Sequence, residues 1–267
     1  ALPTFQEVPG PVEHYGVIYG AGFPGQVVAD FRVYAIANQV ILWAVLVTVY
    51  QLLRQFLEEK EADDVLPSWQ DVMLETAQAV RRFPGRIKGY VAINANYPEQ
   101  IEEELRRGID ELGLFAIKLH PTLHDFHVLD PACEPIWRFA QERGLLVLSH
   151  TWGGDARCRP TAFGKLAESY PGVRFLLGHS GGAHAGREEA IQVAQAHPNI
   201  YLELCSSWLS RAEVEWMAAE VGAERMLFGT DIPFIDPRYT LGRVALANLS
   251  EEELRLILGE NMARLLP

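Results

Sequence analysis

VLSHTWGG (Val147–Gly154), FLLGHSGG (Phe175–Gly182) and MLFGTDIPF (Met226–Phe234) share one design. Each is a short apolar run closed by a side chain able to bind a metal: His150, His179 and Asp231. Short apolar runs bounded by turn residues read as buried strands. Outward from them the chain alternates. Strand patterns fall at 87–94, 115–120, 145–150, 173–179, 199–205 and 224–231. Helical patterns fall at 68–86, 98–113, 130–144, 161–172, 185–198, 210–222 and 250–266. Ser68 serves as an N-cap, Pro98 opens a first turn, and Ser250 with Glu253 can form a capping box.

Six strand-then-helix units in a row imply a parallel sheet covered by helices. The expected fold is α/β, a (β/α)8 TIM barrel with an atypical or incomplete first strand, in one domain spanning residues 1–267. A barrel of this kind takes about 250 residues. Its first two strands are expected around HYGVIYG (14–20) and within VILWAVLVTVY (40–50). The competing doubly wound sheet lacks its GxGxxG loop after an early strand. The uncharged run from Val33 to Leu53 is long enough for a bilayer, but Asn38, Gln39, Thr48 and Gln51 interrupt it. Its β-branched content reads as a buried helix running into a buried strand.

Composition sets limits on partners. With a net charge of −12, nucleic acid and anionic membrane surfaces are poor partners, whereas a small-molecule substrate is not excluded. Three cysteines, Cys133, Cys158 and Cys205, make neither a disulfide framework nor a CxxC zinc cluster, which points to a reducing cytoplasm. No basic region precedes an apolar core at the N-terminus, so no signal peptide is expected. The chain opens on Ala1 rather than Met, which leaves room for residues upstream.

In a barrel the C-terminal ends of all strands meet at one face, where active sites sit. His150, His179 and Asp231 therefore converge, and two imidazoles with a carboxylate suit zinc or a similar divalent ion, manganese included. IKLHP adds Lys118 and His120, two apart and so on one face of their strand. His124 and His127 follow in the next loop. Trp152, Arg157, Arg159, Ser206, Ser207 and Trp208 lie in loops after the strands ending at His150 and Cys205. An arginine there would suit an acidic substrate; the alternative for Arg157 and Arg159 is a solvated loop. Ser149 lies in no GxSxG elbow, and Cys205 reads as an ordinary buried cysteine.

Together, IKLHP, VLSHT, LLGHSGG and LFGTDIPF resemble the strand-end motifs of the amidohydrolase superfamily. The nearer likeness is to its amidohydrolase-related branch, which includes aminocarboxymuconate semialdehyde decarboxylase. RRFPGRIKGYVAINANYPEQIEEELRRGIDELG (81–113) is similar to that branch as well, and the likeness covers residues 68–267. It implies a TIM barrel with one divalent metal, commonly zinc. It also implies that His150 and His179 are metal ligands, and that Asp231 binds metal or moves a proton.

One departure matters. The family opens with His-x-His at the end of strand one, and no such pair occurs in residues 1–67, where His14 is the only histidine. The first strand is missing from the chain, or the pair is lost with His14 standing in alone, or the chain no longer binds metal tightly. The leading expectation is hydrolysis of a carbonyl-type bond by metal-activated water, with Asp231 moving the proton and Lys118 or His120 holding a carboxylate or oxyanion. The alternatives are a non-oxidative decarboxylase of the same branch and an inactive barrel kept as a binding protein. If the first strand is missing, the exposed part of VILWAVLVTVY is a candidate interface of a homo-oligomer.

Overall fold

A computed structural model describes residues 12–14, 17–19 and 69–266, with side chains from Asp71 onward. The chain divides into two compact units, Ala1–Leu66 and Pro67–Pro267. In the first, β1 (Val12–His14) pairs antiparallel with β2 (Val17–Tyr19), Val12 facing Tyr19 and His14 facing Val17. This corrects the expectation of a single barrel strand over 14–20. Two short runs separated by Tyr15 and Gly16 carry a hairpin signal, since a two-residue link with glycine favours reversal. The strand expected in VILWAVLVTVY lies outside the described residues.

The second unit holds a parallel sheet of six strands among the described residues. They are β3 (Tyr90–Ala92), β4 (Ala116–Leu119), β5 (Leu146–His150), β6 (Arg174–Gly178), β7 (Ile200–Glu203) and β8 (Met226–Leu227). Their order in space is their order in sequence. A doubly wound sheet reverses order at a switch point, and none occurs among the six described strands. Before β3 lies α1 (Trp69–Arg82), and the crossovers between the strands carry α2 (Ile101–Arg106), α3 (Pro121–His124), α4 (Glu134–Arg143), α5 (Pro160–Ser169), α6 (His184–Ala196) and α7 (Arg211–Val221). After β8 come α8 (Pro237–Ala245), α9 (Glu251–Arg255) and α10 (Asn261–Leu265). Both Ser210 with Glu213 and Ser250 with Glu253 form capping boxes, which satisfy amide groups left free at helix starts.

The sheet faces two cores. Val91, Ile117, Leu119, Val147, Phe175, Leu177 and Leu202 pack against the helices and are fully buried. The opposite face carries a smaller cluster of Ala116, Leu146, Leu176 and Leu227, joined by Leu148 and Tyr201 and packed with Leu265 and Met262 of α10. The register sets Lys118 opposite Leu148, Leu148 opposite Leu176, and Leu176 opposite Tyr201. Among the described residues Lys118 is thus the one charged member of this apolar layer. Two residues further along β5 and β7 that face turns polar, with His150 and Glu203. An apolar floor therefore underlies a polar rim at the C-terminal ends of the strands. No helix among the described residues is long and apolar enough to cross a membrane.

Candidate functional site at the strand ends

His150 ends β5, His179 follows β6 directly, and Asp231 lies four residues past β8. His179 and Asp231 have φ of 65° and 55°, in the left-handed region that a side chain normally avoids. Such backbone persists where surrounding structure over-determines it, and it concentrates at functional sites. His179 is fixed on two sides. Its backbone N–H donates to Glu203 Oε2 at 3.2 Å, and its Nδ1 hydrogen-bonds the Cys205 carbonyl. A carbonyl only accepts, so Nδ1 carries the proton and Nε2 keeps its lone pair.

Cys205 completes a set that sequence reading left incomplete. Its Sγ lies 3.4 Å from His179 Nδ1 and donates to Glu203 Oε2 at 2.6 Å, while its backbone N–H donates to Glu203 Oε1 at 3.0 Å. One ligand atom each from His179, Cys205 and Asp231 lie within 4.8 Å of one another. Glu203 is buried at the base of this set, and Gly229 makes room for it: a Cβ there would fall 1.4 Å from Oε1. The signal for Cys205 and Glu203 was present in NIYLELC, an apolar strand with a carboxylate and a thiol two residues apart, hence on one face.

His150 stands beside this set but outside it. Its ring meets His179 edge-on with centroids 4.8 Å apart and stacks on His120 at 4.2 Å. Its Nδ1 is buried with no hydrogen-bond partner among the described residues, a donor or acceptor able to take a ligand. His120 caps α3: its Nδ1 accepts the Leu123 N–H at 3.2 Å. That engages the lone pair of Nδ1, so the neutral ring offers an N–H at Nε2. A hydrogen-bond donor is what it presents, in keeping with the expected role of holding a carboxylate or oxyanion.

Burial, reinforced by His120, His179 and Lys118, pushes the His150 pKa down to about 3. Burial and Lys118 push that of His120 down to about 4. Both rings are neutral at pH 7. The pKa of Lys118 is lowered by burial and held up in part by the nearby Glu203, Cys205 and Asp231. The pH dependence follows. Below pH 6.5 an unfolded chain protonates both histidines, and the folded chain resists until about pH 4 and then 3. Stability of the metal-free protein should fall as pH drops through that window. Urea midpoints between pH 7 and pH 4 check this, and a His120→Gln, His150→Gln variant should show a shallower slope.

The remaining expected residues are placed as follows. His14 lies on β1, and its side chain is outside the described residues. His124 ends α3, its Nδ1 buried without a partner among the described residues and its pKa lowered by burial. Arg157 pairs with Asp155 at 2.9 Å and Asp125 at 2.6 Å, tying the loop after β5 to the one after β4. Arg159 pairs with Glu189 of α6. Both guanidiniums are already matched by carboxylates. Trp208 is 67% exposed in the loop after β7. Two buried arginines, neither singled out from sequence, hold that loop. Arg187 donates to the carbonyls of Gly182 and Trp208, and Arg243 to those of Leu204, Ser206 and Leu209.

Trp152 lies parallel to His150, with planes 1° apart and centroids separated by 6.1 Å, and presses on Gly182. A Cβ at Gly182 would come 2.2 Å from the indole, and its φ is 77°. Gly182→Ala should therefore cost about 2–4 kcal/mol, combining left-handed strain with overpacking. A urea unfolding curve within about 0.5 kcal/mol of wild type would refute this packing.

Comparison with known proteins extends this geometry. A family model described as amidohydrolase matches residues 22–267. The chain is 24% identical over 269 residues to a gamma-resorcylate decarboxylase of Rhodococcus jostii (strain RHA1), covering 77% of each chain. It is 23% identical over 244 residues to a 2-amino-3-carboxymuconate-6-semialdehyde decarboxylase of Dictyostelium discoideum, covering 77% of this chain and 66% of that one. Among solved structures, an uncharacterized TIM-barrel protein of Bordetella bronchiseptica matches with a TM-score of 0.65 at 22% identity, over 72% of this chain and 71% of that one. A dihydroxybenzoic acid decarboxylase of Polaromonas sp. JS666, with bound manganese and 2-nitroresorcinol, matches with a TM-score of 0.58 at 19% identity over 74% of each. The structural likenesses carry the fold: α/β, of the TIM-barrel type.

Proposed function

Because the chain belongs to the amidohydrolase family, we propose that it is a divalent-metal-dependent decarboxylase acting on a small aromatic or unsaturated carboxylate. Hydrolysis, the leading expectation from sequence, is the less supported reading, since the three curated relatives the chain matches are named as decarboxylases. The observation that carries the proposal is one juxtaposition. A donor set of His179, Cys205 and Asp231, with His150 beside it, lies above the buried amine of Lys118, one layer deeper on the same face of the sheet.

The residues fit a divalent ion. Imidazole, thiol and carboxylate are each metal donors, and the buried Nδ1 of His150 has no partner among the described residues. His150, His179 and Asp231 would hold it, as zinc or as the manganese present in the Polaromonas structure. Bound there, the ion supplies positive charge against the negative charge that develops on the substrate.

The chain's own groups do the rest. Among the described residues Lys118 has no ion-pair partner, so its ammonium is free to receive a substrate carboxylate. The Nε2–H of His120 adds a second donor. Decarboxylation breaks the bond between carbon and carboxylate, leaves its electron pair on the organic fragment, and requires a proton at that carbon. The Asp231 carboxyl makes no side-chain hydrogen bond among the described residues and is the group placed to carry that proton. The neutral rings of His120, His150 and Trp152 lie parallel, His120 stacked on His150, and give the site an aromatic side beside which a planar substrate would fit.

The test is to load the protein with manganese or zinc and present 2,6-dihydroxybenzoate, 5-carboxyvanillate and unsaturated dicarboxylates, beside a panel of esters, amides and lactones. Metal-dependent release of carbon dioxide from an acid is expected. Turnover confined to the esters, amides or lactones would restore the hydrolase reading.

A further inference from the structure

We propose that Cys205 is itself a metal ligand, so that the ion is held through a thiolate together with imidazole and carboxylate. The inference rests on reading the strand-end cluster as a divalent-metal site, and adds a donor to the set expected from the strand-end motifs.

The placement of the sulfur is the argument. Cys205 sits just past the end of β7, between His179 after β6 and Asp231 after β8, so three neighbouring strand ends each contribute one donor. All three donors lie within 4.8 Å of one another. Donors around a four-coordinate zinc-sized ion stand roughly 3–4 Å apart, given bonds of about 2.0–2.3 Å, so only a small contraction is needed. The other two cysteines have no such surroundings. Cys133 Sγ faces the His127 carbonyl at 3.5 Å, and Cys158 Sγ lies 3.3 Å from Thr122 Oγ1. Both are fully buried among apolar side chains.

A route for the proton is also built in. The Cys205 S–H donates to Glu203 Oε2 at 2.6 Å, and Glu203 is oriented by the backbone N–H groups of Cys205 and His179. On binding, the S–H bond breaks, a sulfur–metal bond forms, and the proton passes to the Glu203 carboxylate. No electrons change hands. Glu203 thereby becomes a positioning residue, with a hold on both the thiol and the backbone of His179. A thiolate is a soft donor and shifts preference away from manganese and magnesium toward zinc, cobalt and cadmium.

The test is a titration of the full-length, metal-stripped protein with cobalt(II), followed by absorption and by equilibrium dialysis. A near-ultraviolet thiolate-to-cobalt band saturating at one equivalent is expected. Cys205→Ser should lose the band and weaken zinc relative to manganese by about tenfold or more. Cys133→Ser and Cys158→Ser should keep both properties. Binding of one cobalt without that band, or a band that survives Cys205→Ser, would overturn the thiolate assignment and leave the metal site standing. Failure of the folded protein to bind cobalt, zinc or manganese at all would overturn both.

Discussion

Asp231→Asn should lower carbon dioxide release about a thousandfold, the scale of a lost general acid–base group, while leaving the fold intact. The substitution is nearly isosteric. The backbone there has a φ of 55°, which asparagine tolerates as well as aspartate does. No side-chain hydrogen bond among the described residues is broken, so the thermal midpoint should stay within a few degrees of wild type. What is lost is a group that can exchange a proton. An amide oxygen is also a weaker ligand than a carboxylate, so metal content needs measuring in the same sample. Near-normal turnover in a variant that still binds metal would remove Asp231 from the proton path.

Lys118→Met should raise KM for a carboxylate substrate by about ten- to a hundredfold, the equivalent of one hydrogen bond between charged groups. Methionine suits the site sterically. Lys118 faces Leu148 across the sheet in a layer continued by Leu176 and Tyr201, and an unbranched apolar chain packs there without leaving a hole. The fold should survive. A second readout separates charge from packing. Lys118 helps hold the pKa values of His120 and His150 down, so both should rise in the variant, visible as shifted imidazole titrations by NMR. Unchanged KM together with unchanged histidine titrations would show that the ammonium does not face the site.

The parallel sheet was legible because its helices and strands have different periods and sharp ends. Ser210 with Glu213 and Ser250 with Glu253 mark helix starts through local chemistry alone. The convergence of His179 and Asp231 was legible because a barrel brings every strand end to one face. Three kinds of feature were not. Short helices such as Pro121–His124 and Pro237–Ala245 hide in loops. For the second, Asp236 followed by Pro237 is a start signal that could have been read. The hairpin at residues 12–19 was taken for one strand because its runs are only three residues long, too short for periodicity to separate. Cys205 looked like any buried cysteine, since what distinguishes it is the thiol's distance from His179 and Asp231, a product of tertiary packing. Arg157 and Arg159 show the converse: sequence marks a cation near a pocket but cannot show that Asp155, Asp125 and Glu189 already occupy it.

The central claim is that the strand ends of this barrel assemble a divalent-metal site from His150, His179 and Asp231, with no His-x-His pair present in residues 1–67. The most direct measurement is metal content by elemental analysis, after incubation with manganese or zinc and removal of excess ion. Wild type should be measured beside a His150→Ala, His179→Ala double variant that retains its circular dichroism. About one ion per chain in wild type, and its loss in the double variant, is the predicted result. A folded wild type that retains no ion, or a double variant that retains as much as wild type, would contradict it.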